Sequence, residues 1–360
     1  MRKNIFIDAR MIGYGGVGRY VEELLYNLKE INNDKYNFNI LILEHIDPLF
    51  QNRFFKWSTC RYRVYSLLEH IYFTKIWLSN FDLYFFPHFD TPLIKNNKES
   101  KVVVTVHDLL YLKPELKLGF FAEIYLKFML FYLQKTADIV ITDSIVSRNE
   151  LSRWIDKEKI RIATPAKMSL ATSNIENKEN IILYCGNAKE HKNLDFMFDI
   201  FLVLKNRFRL VDKIVCTGFE FSDLSKDLIT KYYEMILRGE IEIKGKVSDE
   251  LLFEYYRKAK FVFLLSSQEG FGLSVVEGLG FGTPAIVLND SRINTYIKRG
   301  IISVPAEVDS AALLIAKIWN DEITYKKLVV EGIDYVKEYQ WRNTAFLVFK
   351  IFEEVLCQNG

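Results

Sequence analysis

The 360-residue sequence has no cysteines at metal or redox spacing, no long apolar run and almost no excess of charge, and each shortage closes a class of function. Cys60, Cys185, Cys216 and Cys357 are scattered without any C-x-x-C, so neither a disulfide framework nor a zinc ribbon is expected. They read as reduced core residues of a cytosolic protein. A net charge of +2 supplies no field for a polyanion, and nucleic acid is not an expected partner. The apolar run after Arg2 and Lys3 is cut at Asp8, so a secretion leader is not expected. Phe120 to Leu133 is interrupted by Glu123 and Lys127 and falls short of the roughly 20 apolar residues of a spanning helix. The expected location is the cytoplasm, free or at the cytoplasmic face of a membrane. Short-period repeats and low-complexity tracts are also missing.

What is present is ordinary globular composition, 49% hydrophobic and 26% charged, in a chain longer than one core usually supports. Two domains with a cleft between them are expected. Apolar runs alternate with helical patterns: 4–8, helix 17–30, 38–43, 102–106, helix 125–135 and 139–142. A second series begins at 181–185 and continues through helix 194–205, strands 213–217 and 241–244, helix 249–258, strand 261–265, helix 275–282 and strand 284–288. This rhythm predicts an α/β fold, two Rossmann-like domains in tandem, each with a mostly parallel sheet. The first is placed at 1–165 and the second at 175–338. Between them 161–180 is polar and irregular around Pro165 and reads as the linker. The closing segment 341–360 reads as a helix, with Phe346, Val348, Phe349, Phe352 and Val355 at helical spacing; packing back on the first domain is the expected arrangement.

The stretch from Phe261 to Glu277 runs as buried strand, glycine turn and helix start. In an open α/β sheet the strand ends are where ligands bind. The N–H groups of Gly270, Phe271, Gly272 and Leu273, with the positive end of the helix, suit a diphosphate. Two glutamates flank the turn. Ser274 and Glu277 also fit a capping box, in which the serine caps the helix and the glutamate reaches back to its N–H. Glu269, read alone, is a solvated surface charge. Beside a phosphate turn, however, a carboxylate repels the ligand unless it faces sugar hydroxyls.

Glu269-Gly-Phe-Gly-Leu-Ser-Val-Val-Glu277, followed by Gly282-Thr-Pro-Ala-Ile-Val, resembles the E-x7-E signature of glycosyltransferase family 4, retaining enzymes of GT-B architecture. The resemblance implies that Glu269 contacts donor-sugar hydroxyls near the reacting carbon and that Glu277 holds the nucleotide ribose. Gly278 and Gly280 stand where many relatives carry alanine, which should weaken the helix by about 1 kcal/mol per site. Tyr184 to Asn193 resembles the segment that places a basic pair on the donor diphosphate. Lys192 matches its lysine, while Asn187 stands where many relatives have arginine; without the resemblance Lys192 is a surface lysine. Lys244-Gly-Lys-Val-Ser-Asp-Glu250 resembles the turn beside the base, with Val247 as the contact and Ser248 as a helix cap. In the first domain Val104-Thr-Val-His-Asp-Leu109 resembles the family strand whose histidine, here His107, points toward the donor sugar; a lone histidine after a strand is otherwise structural. The segments Phe81 to Asp90 and Ala137 to Ser144 also follow the family pattern, as scaffold.

Gly13-Tyr-Gly-Gly-Val-Gly18 spells the dinucleotide fingerprint, with Glu44 closing the next strand, so an NAD-dependent dehydrogenase is a rival reading. Ala9 to Ile12 intervene between strand and glycines, and the resemblance instead assigns Gly15 and Gly16 to close approach of donor phosphate or acceptor. From Gln51 to Asn80 there are five Lys or Arg, one acid and eight aromatics. That stretch suits anionic lipid, yet Tyr65, Leu68, Glu69, Tyr72 and Ile76 also fit one face of a core helix. The expectation is a retaining glycosyltransferase. It uses a nucleoside-diphosphate sugar, a glycan or lipid-linked acceptor and neither metal nor cofactor, in bacterial surface polysaccharide or lipopolysaccharide assembly. A GT-B sugar-nucleotide epimerase or hydrolase stays open beside it, as does a non-catalytic partner subunit.

Overall fold

The computed structural model describes residues 2–32, 34–44, 54–66, 68, 69, 72, 80–91, 99–112, 120–166 and 178–357. Contacts divide the chain into two units, Met1–Pro165 with Trp341–Gly360, and Ala166–Gln340.

In the first unit the elements run β1 (Lys3–Asp8), α1 (Gly15–Ile31), β2 (Tyr36–Leu43), β3 (Lys56–Cys60), β4 (Leu83–Phe86), β5 (Lys101–Thr105), α2 (Phe120–Thr136), β6 (Ile139–Thr142), α3 (Ile145–Leu151) and β7 (Ile160–Ile162). Its sheet has the order β3-β2-β1-β4-β5-β6-β7, with every pair parallel. Strands such as Leu83–Phe86 are buried along their whole length, the pattern of a sheet covered on both faces. One expectation is corrected here. The segment read as linker opens with β7, whose Ile160 and Ile162 join the sheet edge beside β6. In the 51–80 stretch, ahead of the residues read as a helix, Lys56–Cys60 is a strand that extends the sheet beside β2. Most of the remainder, Ile76 included, lies outside the described residues.

The second unit runs β8 (Ile181–Cys185), α4 (Leu194–Asn206), β9 (Lys213–Thr217), α5 (Lys226–Leu237), β10 (Ile241–Ile243), α6 (Asp249–Lys258), β11 (Phe261–Leu264), α7 (Leu273–Gly280), β12 (Ala285–Leu288), β13 (Ile301–Val304), α8 (Val308–Asn320) and α9 (Glu322–Tyr335). Its sheet order is β10-β9-β8-β11-β12-β13, again parallel throughout. The last helix, α10 (Trp341–Cys357), returns to the first unit. It is seated by rings and carbonyls: Trp341 lies edge-on to Tyr20 at 6.0 Å and Phe352 to Phe85 at 5.2 Å. Thr344 Oγ1 donates to the Thr164 carbonyl at 2.6 Å. Cys60 and Cys216 are buried and Cys185 is half-buried, but Cys357 is exposed at the end of α10, against its reading as a core thiol.

Helix α7 presses on β11 so closely that a Cβ at Gly278 would meet Val262 Cγ2 at 2.8 Å and the Thr283 carbonyl oxygen at 3.2 Å. The glycine that propensity marks as a weakness is therefore a packing requirement. Gly278→Ala gains about 1 kcal/mol of helix propensity and loses about 1–3 kcal/mol to overpacking. Denaturant titration should show a net loss of stability. Val262→Ala in the same chain should recover part of it; a more stable single variant refutes the close-packing account.

Candidate active site

In the second unit the strand order reverses between β8 and β11, so the loops leaving these two strands lie side by side at the switch point. Side chains and backbone tie them together. Asn193, left-handed at φ 53°, donates from Nδ2 to the Leu265 carbonyl at 2.9 Å, and Ser267 N–H donates to the His191 carbonyl at 3.0 Å. This lacing carries Lys192 across the gap. Its Nζ donates to Glu269 Oε1 at 2.6 Å, with 13% and 10% of the two side chains exposed. Two residues read for different parts of the donor are thus hydrogen-bonded to each other. The Lys192 charge, after burial itself, also lowers the pKa of neighbouring His191.

Beyond Glu269 the chain turns through Gly270, Phe271 and Gly272 into α7. The capping-box reading is corrected here: the N-cap is Gly272, left-handed at φ 77° and ψ 54°, and Ser274 already lies inside the helix. A side chain at 272 is excluded twice, by the positive φ and by Ile293 Cδ1 at 2.8 Å from an added Cβ. With no side-chain cap, and no acid in the first turn, the N–H groups of Leu273 and Ser274 find no acceptor among the described residues. Such a helix start attracts an anion.

Tyr296 clamps the turn from below. Its ring stacks on Phe271 at 5.6 Å, 5° from parallel, while its hydroxyl lies 2.6 Å from the Phe271 carbonyl oxygen and 3.1 Å from that of Gly270. The carbonyls are thereby held away from the N–H side. Tyr335 donates its hydroxyl to the Tyr296 carbonyl. Nothing in the sequence marked Tyr296, which sits in an irregular stretch without periodicity.

Glu277, 6% exposed, accepts a hydrogen bond on Oε2 from the Tyr256 hydroxyl at 2.8 Å. Val247 is half-buried against the apolar cluster that includes Phe271 and Val275. It precedes Ser248, whose Oγ caps α6 by accepting from Leu251 N–H at 3.4 Å. Asn187 is exposed and turned onto its own loop: Oδ1 accepts from Lys189 N–H at 3.2 Å, and its carbonyl accepts from Tyr184 at 2.6 Å. Burial, and then the Glu269 charge, raise the Tyr184 pKa. The second unit therefore gathers Lys192, Glu269 and the 270–273 turn, with Glu277 on the same helix.

The other candidates stand in the first unit. Gly15 opens α1 at φ 57° with open space around it, and Gly16 is exposed. The close-packed glycine of that loop is Gly18, whose added Cβ would meet the Met11 carbonyl oxygen at 2.6 Å. His107 is held from both ring nitrogens, Nδ1 at 3.0 Å from Asp143 and Nε2 at 3.2 Å from the Pro87 carbonyl oxygen. Burial opposes its protonation, but the Asp143 charge and hydrogen bond outweigh that and raise its pKa. At the β1 and β4 ends a buried network joins Arg10 to Asp8 at 2.6 Å and to Glu69 at 2.7 Å, with His88 at 3.1 Å from Asp8. Burial and Asp90 push the Glu69 carboxyl up to about 9.

The two parallel-sheet α/β units are the GT-B architecture, and the family match and relatives make the chain a glycosyltransferase. Residues 169–334 match the family model of glycosyl transferases group 1. The chain is 23% identical to O-antigen chain mannosyltransferase B of Escherichia coli, over 72% of this chain and 71% of that protein. It is likewise 23% identical to O-antigen chain mannosyltransferase RfbU of Salmonella typhimurium, over 72% and 70%. Among solved structures, HepE of Anabaena in complex with UDP and glucose superposes with a TM-score of 0.75 at 14% identity, covering 98% of this chain and 100% of that one. These findings favour a transferase over the rival dehydrogenase reading. Among the described residues no helix is long and apolar enough to cross a membrane.

Proposed function

We propose that this enzyme transfers a sugar, with retention at the anomeric carbon, from a nucleoside-diphosphate sugar to a hydroxyl of a glycan or lipid-linked acceptor. The observation that carries the reading is the Lys192 to Glu269 contact of 2.6 Å beside a helix start capped by Gly272 alone. Lysine has three N–H donors, so one ammonium can keep Glu269 and take a phosphate oxygen. The diphosphate then meets Lys192, the turn amides and the helix N-terminus together. Charge developing on the leaving group is stabilised without a metal ion or cofactor. Glu269 is left to face the donor sugar and Glu277 the ribose. His107 has both ring nitrogens against acceptors, Asp143 and the Pro87 carbonyl, so it offers no free basic nitrogen and its part is electrostatic.

The relatives named above favour mannose as the sugar and surface polysaccharide as the destination. A relative of Komagataeibacter xylinus, 24% identical over 49% of this chain and 45% of its own, is named a GDP-mannose:cellobiosyl-diphosphopolyprenol α-mannosyltransferase. Its acceptor class supports action at the cytoplasmic face of a membrane. The test is a thermal-shift screen of UDP-, GDP- and dTDP-sugars, followed by NMR of the product with a glycan acceptor. One donor family should stabilise the protein, and an α-linked donor should give an α-linked product. Donor consumption without acceptor would turn the reading to an epimerase or hydrolase, and a β product would remove retention.

A further inference from the structure

Tyr256 belongs to none of the sequence motifs, yet it is fully buried and bonded from both its ends. Its hydroxyl donates to Glu277 Oε2 at 2.8 Å. Its backbone carbonyl accepts from Thr283 Oγ1 at 2.5 Å and from Lys178 Nζ at 3.2 Å. Lys178 also donates to the Phe281 carbonyl at 3.3 Å, so the C-terminal ends of α6 and α7 share one half-buried lysine amine. The Tyr256 ring lies flat on Phe281, 5.6 Å between centroids and 5° from parallel.

The two helices so joined carry the two halves of a nucleoside site. Val247 and Ser248 lead into α6, on the side read for the base, and Glu277 lies in α7, on the side read for the ribose. We propose that Tyr256 is a positioning residue for the donor nucleoside. It pins one carboxylate oxygen of Glu277 and sets that carboxylate's distance from the base-side turn, so that a ribose hydroxyl meets a preoriented acceptor. The inference rests on the ribose reading of Glu277. A buried carboxylate oxygen that loses one donor is driven to find another or to rotate toward water, and either movement takes it away from the ribose.

The test is calorimetry of UDP and GDP, each with its 2′-deoxy and 3′-deoxy forms, on the full chain and on Tyr256→Phe. The wild type should bind one ribonucleotide about tenfold more tightly than one of its deoxy forms, the worth of a single hydrogen bond to a charged group. Tyr256→Phe should lose that same tenfold for the ribonucleotide and bind the deoxy form as the wild type does, so the two losses do not multiply. A purely structural tyrosine would weaken both forms equally, and that result overturns the inference. Equal wild-type affinity for ribo and deoxy forms overturns the ribose reading itself. Should Tyr256→Phe fail to fold, NMR of ¹³C-tyrosine-labelled wild type replaces it. The Tyr256 ζ-carbon resonance should move on binding the ribonucleotide and stay in place with the deoxy form; movement of equal size with both refutes the proposal.

Discussion

Glu269→Gln is expected to lower kcat by about 100-fold while leaving nucleoside-diphosphate affinity within a few-fold of the wild type. Loss of one preorganised charged or polar contact at a transition state costs about two to three decades in rate. The substitution keeps the shape of the side chain and removes its charge, in a place where only 10% of it is exposed. As the donor bond breaks, positive charge grows on the sugar, and a fixed carboxylate beside it stabilises that state more than the ground state. On the proposed reading the nucleotide does not depend on Glu269, because its phosphates are assigned to Lys192 and the N–H groups of the turn. Glu277→Gln should show the opposite division, with weaker nucleotide binding and kcat largely kept. Single-turnover kinetics beside calorimetry separate the two; near-normal turnover of Glu269→Gln would falsify the sugar-side assignment.

The division between what was legible and what was not follows the range of the interactions. Strands such as Ile139–Thr142 and Ile181–Cys185 are visible because they are short apolar runs buried on both faces, a property of consecutive residues. The short edge strands Lys56–Cys60 and Ile160–Ile162 were not. Only Cys60 of the first and Ile160 of the second are buried, so their identity comes from the neighbours that pair with them. The 269–277 segment announced itself through spacing, and its helix start was misplaced by two residues because a serine cap and a left-handed glycine cap compete for the same turn. Gly272 prevails on geometry: its positive φ strains any other residue, and an added Cβ would also press on Ile293 and Leu264, contacts held in distant residues. Tyr296 and Tyr256 were illegible for the same reason. Each acts on the site through one hydroxyl across 20 or more positions of sequence, and no local pattern encodes such a contact. The terminal helix could be read as a helix from its spacing, but its seat on Tyr20, Phe85 and Thr164 is written in the first unit.

Lys192→Ala carries the second large effect, and the ion pair makes its signature specific. Removing a charge-assisted contact to phosphate costs about 1–3 kcal/mol, so nucleoside-diphosphate affinity should fall about 5-fold to 150-fold. In the free protein the same substitution strips Glu269 of its 2.6 Å partner and leaves a carboxylate one-tenth exposed facing an arriving diphosphate. The charge at that position changes from neutral pair to anion, and repulsion adds to the lost attraction. A double-mutant cycle separates the two contributions. If repulsion matters, Lys192→Ala combined with Glu269→Gln binds nucleoside diphosphate more tightly than Lys192→Ala alone, by a factor that shrinks as salt is raised. If Lys192 acts only on phosphate, the double variant binds as the single one does. Unchanged affinity in Lys192→Ala would take the lysine out of the site altogether and leave its bond to Glu269 as a loop lock between the ends of β8 and β11.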